Sequence, residues 1–326
     1  MGSMKTLQAR LHSIEQLATG IHSFELRPAD GTPWPAVDAG AHVDLHLPHR
    51  LSRSYSLVNT PGESHRYVIA VNRDGAGKGG SRYLHDTIRV GQELSISVPR
   101  NSFPLHERAT HSVFIAGGIG ITPLWSMVQR LAQLGAPWTL HYAARSRDCA
   151  ALLEPLMALG ADSGGEVRLY FDNGPSEQRL DLHAAVQASP GDADLYCCGP
   201  VRMLEAFDAA TSQRSPSLVH REYFAAPPAP QQAARGVDED FTVRLSKSGR
   251  VIPVHRGTTI LDALLDAGVE IAYSCMSGIC GACTVNVVGG VPDHRDLVLS
   301  DAEKESGKKM VICCSRAKSP ELVLEV

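Results

Sequence analysis

The chain has 326 residues, 43% apolar and 20% charged, so it carries material for more than one hydrophobic core; two or three compact domains are expected and a disordered chain is excluded. A formal charge of −4, with no block of Lys or Arg anywhere, argues against a nucleic-acid partner. The most apolar stretch, Ser112 to Val128, is broken by Gly117, Gly118, Gly120 and Pro123, which suits a buried strand, loop and helix and not a membrane span.

Met1-Gly2-Ser3 before Met4 reads as a cloning remnant, and no basic-then-apolar leader follows, so a cytoplasmic protein is expected. From residue 4 to residue 106 short segments alternate apolar with polar residues, as in Ile21 to Leu26 and His42 to Leu47, with Gly/Pro turns between them. This pattern predicts an antiparallel β-barrel. Arg53-Ser54-Tyr55-Ser56-Leu57 and Ile69-Ala70-Val71-Asn72-Arg73 lie on two of its strands, and Gly77-Lys78-Gly79-Gly80-Ser81 opens a helix near Tyr83, offering N–H groups and a hydroxyl to a phosphate.

Residues 107 to 226 read differently. A continuous apolar run, Ser112 to Ala116, leads into Gly117-Gly118-Ile119-Gly120-Ile121-Thr122-Pro123 and a helix over Leu124 to Leu134. Two further buried strands, Trp138 to Ala143 and Asp194 to Cys198, alternate with helices over Ala150 to Leu159 and Val201 to Ala210. This is the pattern of an α/β domain with a parallel sheet. Its glycine turn, and Cys198-Gly199-Pro200 after a later strand, fall where open parallel sheets bind ligands, with backbone N–H groups turned to a pyrophosphate. Arg145-Ser146-Arg147 follows the second strand; these motifs resemble the ferredoxin–NADP reductase superfamily, which meets the adenosine ribose there, and the resemblance implies a cation for either the 2′-phosphate of NADPH or the adenine or pyrophosphate of NADH.

Residues 227 to 238, rich in Pro and Ala without periodicity, predict a stiff tether, and residues 239 to 326 a third domain. There Cys275, Cys280 and Cys283 are spaced C-x4-C-x2-C, with Cys313 further on. That is the plant-type spacing of a [2Fe–2S] cluster, and a structural zinc would use paired knuckles instead. Gly278 and Gly281 are placed where a Cβ would obstruct a loop wrapped around an ion. Cys314 competes with Cys313 as fourth ligand, although the Ser315-Arg316-Ala317 that follows favours Cys313; Cys149, Cys197 and Cys314 are expected to be packing residues. The histidines show no metal-ligand spacing, and no hydrolase motif occurs.

The residues from Phe241 onward resemble a plant-type ferredoxin, an α+β β-grasp domain. GGxGxTP with a later CGP, and R-x-Y-S in the barrel, resemble the ferredoxin–NADP reductase superfamily. The whole order of motifs resembles the phthalate dioxygenase reductase family. The resemblance implies FMN, a [2Fe–2S] cluster, NADH as donor and a Rieske-type terminal oxygenase as acceptor, with a cytochrome P450 or another soluble acceptor as the alternative. A non-catalytic zinc-bearing interaction module is the reading from another class. The resemblance further implies that Arg53 meets the FMN phosphate and Tyr55 the flavin or its ribityl chain, with Ser54 in the same motif. Ser56 and Thr122 would lie by the reactive edge of the ring, Cys198 by the nicotinamide, Val71 and Asn72 along the flavin, Gly79, Gly80 and Ser81 on its phosphate, and Phe224 over the flavin. Gly117, Gly118, Gly120, Arg145, Gly199 and Pro200 would bind the dinucleotide, and no acid–base residue is required. A monomer is expected.

Overall fold

The computed structural model describes residues 6–48, 51–77, 79–173, 179–225 and 239–326. The chain divides into two compact units, Met1–Phe224 and Ala225–Val326. The proposed tether at 227–238 lies outside the described residues, as does Lys78.

The first unit opens with strands β1 (Thr6–Ala18), β2 (Ile21–Pro28), β3 (His42–Leu47), β4 (Leu51–Ser56) and β5 (Tyr67–Asn72), then helix α1 (Gly80–Asp86) and strand β6 (Glu93–Ser97). They form one antiparallel sheet in the order β4-β3-β6-β1-β2-β5. A bridge between Leu57 and Ile69, and the bond from Val58 N–H to the Val68 carbonyl (2.9 Å), join its two outer strands and close the barrel. The alternation seen in the sequence has its expected cause: Leu11, Phe24, Leu26, Val43, Leu45, Ile69 and Ile96 point inward and fill the interior.

A parallel sheet follows, made of β7 (Ser112–Gly117), β8 (Trp138–Ala144), β9 (Glu166–Phe171), β10 (Asp194–Cys198) and β11 (Val219–Glu222), with helices α2 (Ile121–Leu134), α3 (Leu153–Ser163), α4 (Leu182–Gln187) and α5 (Val201–Ala210). Its order is β11-β10-β7-β8-β9, so the chain starts in the middle, builds outward one way, then returns to the other side of β7. β7 is wholly buried because both of its faces are covered, which is why it reads as an unbroken apolar run. One core cluster is shared with the barrel: Ile21, Ala39, Val58, Ala70 and Phe103 meet Ile121, Leu124, Met127 and Val128 of α2. The Ser126 hydroxyl accepts from the Gly40 N–H (3.0 Å) and Thr60 donates to Gln129 (2.7 Å), pinning that helix to the barrel.

Three features depart from the expectations. β9 and β11 are strands that the apolar pattern did not show, since β9 is an edge strand with alternate residues exposed and β11 has four residues, none of them fully buried. The helix expected from Ala150 begins at Leu153, because Ala150 is extended and Leu152 sits in the left-handed region at φ 60.

The second unit is a five-stranded mixed sheet, β13-β12-β18-β14-β16, from β12 (Phe241–Leu245), β13 (Val251–Val254), β14 (Thr284–Gly289), β16 (Lys309–Val311) and β18 (Glu321–Glu325), with a small pair β15 (Pro292–Asp293) and β17 (Arg316–Ala317). Helix α6 (Ile260–Asp266) buries Ile260, Leu261 and Leu264 on it, while α7 (Asp301–Ser306) carries a Ser300/Glu303 capping box. β12 and β18 run parallel and the remaining pairs of this sheet antiparallel, the β-grasp arrangement expected.

Candidate functional site

In the parallel sheet the order reverses between β7 and β10, and the crevice beyond their carboxyl ends is where such sheets take ligands. Both glycine turns arrive there. A Cβ on Gly120 would stand 2.2 Å from the Cys198 carbonyl oxygen, one on Gly117 would stand 2.6 Å from Pro200, and one on Gly199 would stand 3.2 Å from the Gly117 Cα. The two loops therefore touch backbone to backbone, and glycine is required for that approach. Gly118, at φ +53, faces open space. Thr122 is 2% exposed and donates to the Ile119 carbonyl (3.0 Å), holding the turn that starts α2.

Cys198 is fully buried, and burial pushes its thiol well above the ordinary range, so it is a neutral SH group and not a thiolate nucleophile. Beside it in the ladder stands Glu222. The Glu222 Oε2 is sealed from solvent with no hydrogen-bond partner, and burial pushes the carboxyl up to about 8. An orphaned protonated carboxyl next to Cys198 fits a crevice meant for a polar ring. The sequence reading gave Glu222 no role, since β11 is a four-residue strand without a clear pattern. Arg145 is exposed at the end of β8, and Arg147 beside it is engaged by Glu154 at 2.9 Å.

On the barrel, Ser56 is 5% exposed and pairs across the sheet with His42, while Ser54 donates to the buried Asp44 (2.7 Å), which also receives Arg100. Arg53 and Tyr55 sit on the other face of β4, and burial raises the Tyr55 phenol to about 12. A Cβ on Gly80 would lie 2.6 Å from the Arg53 Cγ, so the glycine lets the arginine lie against the start of α1. Gly79 precedes it at φ +96, and the Ser81 hydroxyl accepts from the Asp74 N–H (3.1 Å). Val71 is buried, Asn72 exposed, and Phe224 is 43% exposed at the end of the unit.

In the second unit the four expected cysteines converge in two pairs. Cys275 neighbours Cys280, and Cys283 neighbours Cys313. Those neighbours and burial push the Cys280 and Cys283 thiols up, since two thiolates so close repel unless a cation lies between them. Gly278 (φ +74) and Gly281 (φ +71) bend the loop in the left-handed region, and a Cβ on Gly281 would stand 2.9 Å from Val298, the obstruction expected of these positions. A Cβ on Gly278 would stand 2.6 Å from the Cys314 Sγ. Cys314 packs against the loop at Gly278 and also neighbours Cys313, which itself neighbours Cys283. This paired sulfur cradle fits a binuclear iron cluster.

The two units define an oxidoreductase that carries a nucleotide-binding sheet and an iron–sulfur domain on one chain. Residues 114–209 match the oxidoreductase NAD-binding domain, and residues 243–318 the 2Fe-2S iron-sulfur cluster binding domain. The latter match overturns the zinc-module alternative. Phenoxybenzoate dioxygenase subunit beta of Ectopseudomonas oleovorans is 52% identical over 326 residues, 99% of this chain and 98% of that protein. A solved structure of phthalate dioxygenase reductase superposes with a TM-score of 0.76 at 37% identity, covering 98% of each chain. An intact type IV self-sufficient cytochrome P450 monooxygenase superposes at 0.83 with 36% identity, over 98% of this chain and 41% of that one. The chain belongs to the phthalate dioxygenase reductase family. It is the electron-transfer reductase component of an oxygenase system, and its cofactors are FMN, a [2Fe–2S] cluster and NADH. No helix among the described residues is long and apolar enough to cross a membrane.

The buried titratable groups set a pH window for the first unit. Glu222, near 8 when folded and near its ordinary value of 4.5 when unfolded, binds its proton more tightly in the folded state, so its contribution is complete below about 4.5 and is lost as pH rises through about 8. His141, held at about 4 by burial and then by Arg168, does the opposite: stability falls as pH drops from 6.5 toward 4. Glu222→Gln is expected to flatten the alkaline loss, by on the order of a few kcal/mol between pH 6 and pH 9. Thermal unfolding of both proteins across that range measures it, and parallel curves would show that the carboxyl is already ionised.

Proposed function

We propose that the chain oxidises NADH and delivers the electrons singly to a Rieske-type terminal oxygenase, as a cytoplasmic monomer. Residues 4–106 bind FMN, residues 107–226 bind the dinucleotide, residues 227–238 are a tether and residues 239–326 hold the cluster. FMN, when bound, accepts an electron pair as hydride and releases electrons one at a time, the conversion that an oxygenase fed by a nicotinamide needs.

The chain's own residues orient and insulate. The backbone N–H groups of Gly117, Gly118 and Gly120, with Gly199 and Pro200 opposite, receive the pyrophosphate at the start of α2, and Arg145 meets the adenosine end. Cys198, neutral and buried, packs at the nicotinamide with Ser56 and Thr122, and no residue needs to take a proton from the donor. Arg53, Gly79, Gly80 and Ser81 hold the flavin phosphate, Arg53 as a fixed cation. Ser54, Tyr55, Val71 and Asn72 line the flavin, and exposed Phe224 is an aromatic free to cover it. Cys275, Cys280, Cys283 and Cys313 bind the irons, and hydrogen bonds to their sulfurs tune the potential.

The observation that carries this reading is the meeting of the two glycine loops at the switch point of the sheet, on a chain that also carries four converging cysteines. Turnover of a purified Rieske oxygenase by the purified protein tests it, with NADH expected to outperform NADPH. Failure with every Rieske oxygenase but turnover of a cytochrome P450 would establish the second acceptor, which the 0.83 superposition on a P450 fusion favours.

A further inference from the structure

We propose that His106, Asp194 and His220 bind one divalent transition ion of the zinc class at the amino-terminal edge of the parallel sheet. The sequence hides this cluster, since His106 lies 88 residues before Asp194 and His220 lies 26 after it. The fold brings them together. Asp194 opens β10, His220 sits on the neighbouring β11, and His106 lies in the connector between the barrel's last strand and β7.

His106 Nδ1 is 3.0 Å and His220 Nε2 is 2.6 Å from the same oxygen, Asp194 Oδ1, and the three donor atoms lie within 4.8 Å of one another. Asp194 is 4% exposed, and no Lys or Arg reaches its carboxylate among the described residues. A buried carboxylate faced only by imidazoles lacks a permanent countercharge, which is costly in a protein interior. Two imidazole nitrogens and one carboxylate oxygen are a borderline donor set that suits zinc and excludes magnesium or calcium.

The surroundings hold the donors in place. The His220 ring stacks on Tyr196 (centroids 4.4 Å, interplanar 23°), and the His106 N–H donates to the Tyr196 hydroxyl (2.9 Å). Metal–ligand bonds of ~2.0–2.2 Å in a tetrahedral shell set donors ~3.4 Å apart, so the His106–Asp194 pair must open by ~0.4 Å and the His220–Asp194 pair by ~0.8 Å. His106, with half its side chain exposed, can move by its share and leaves an outer face where water completes the shell, while the larger opening falls to rotation of the His220 and Asp194 side chains. Because the cluster and Cys198 lie at opposite ends of five-residue β10, an ion here would sit ~13 Å from the nicotinamide crevice and tie the connector to the sheet without entering it.

The test uses iron-loaded holoprotein, so that the cluster cysteines are occupied, equilibrated with zinc ions and freed of excess by gel filtration. One zinc per chain with unchanged iron is expected, together with a raised melting temperature. His106→Ala and His220→Gln should each weaken zinc binding by ~10-fold or more, as loss of a donor must when even its supporting hydrogen bonds are worth that much. NADH–ferricyanide activity of these variants, which should equal that of the parent, reports that they are folded. Absence of retained zinc in the parent protein, or equal retention in a variant carrying both His106→Ala and His220→Gln, would overturn the site.

Discussion

Cys280→Ser should cut cytochrome c reduction by NADH ~100-fold or more, since losing even a supporting hydrogen bond of a metal site costs ~10–100-fold, while ferricyanide reduction persists. The variant removes one of four thiols, and a serine hydroxyl does not ionise to replace it. Cys280 sits in the loop where Gly278 and Gly281 take left-handed conformations, so its loss does not touch the buried core of Val243, Leu264, Ile312 and Leu322. The β-grasp unit should keep its fold while the iron is lost. Small oxidants can draw electrons directly from the first unit, whereas a protein acceptor depends on the second. Equal loss with both acceptors would rule out a serial pathway.

Gly120→Ala is the second large effect. Its φ of −62 is accessible to any residue, so the penalty is steric and not conformational. The new Cβ would stand 2.2 Å from the Cys198 carbonyl oxygen and 2.5 Å from its carbonyl carbon, backbone atoms fixed by the ladder that pairs Cys198 with Ala116. Overpacking of this kind costs ~1–3 kcal/mol, and the loop must separate from β10 to accept it. The melting temperature of the first unit should fall and the KM for NADH rise at least ~10-fold, because the displaced N–H groups are those turned to the pyrophosphate. Gly135→Ala is the control: it closes α2 at the end away from the crevice, meets no atom within 4 Å and pays only ~1–2 kcal/mol for its φ of +64, so the KM for NADH should not change. If Gly120→Ala bound NADH as tightly as the parent, the two-loop crevice would not be the dinucleotide site.

Much of this architecture was legible because local chemistry and global fold agree. β3, β10, β12 and β13 have the bounds that their apolar patterns mark, since each is either cleanly alternating or wholly covered, and α5 has them because Leu204, Phe207 and Ala210 bury one helical face. The cysteine spacing pointed to the iron–sulfur domain, because a C-x4-C-x2-C loop with a fourth distant cysteine is the spacing that such a cluster needs. β9 and β11 escaped because an edge strand with one solvated face, and a four-residue strand, carry too few apolar positions to show a period. Glu222 escaped for a related reason: its meaning comes from pairing with Cys198, a contact between strands that no local pattern encodes. Leu152 delayed α3 by adopting a left-handed backbone that nothing in its side chain announces.

Anaerobic titration of the freshly purified protein with NADH, followed by visible absorption alongside iron and flavin analysis, bears most directly on the claim that a nucleotide crevice, a flavin barrel and a four-cysteine cage form one electron path. The account predicts a coloured protein containing both iron and FMN, in which NADH bleaches the flavin band and then the cluster band. A preparation lacking iron and flavin, or one whose bands stay unchanged under excess NADH, would contradict it.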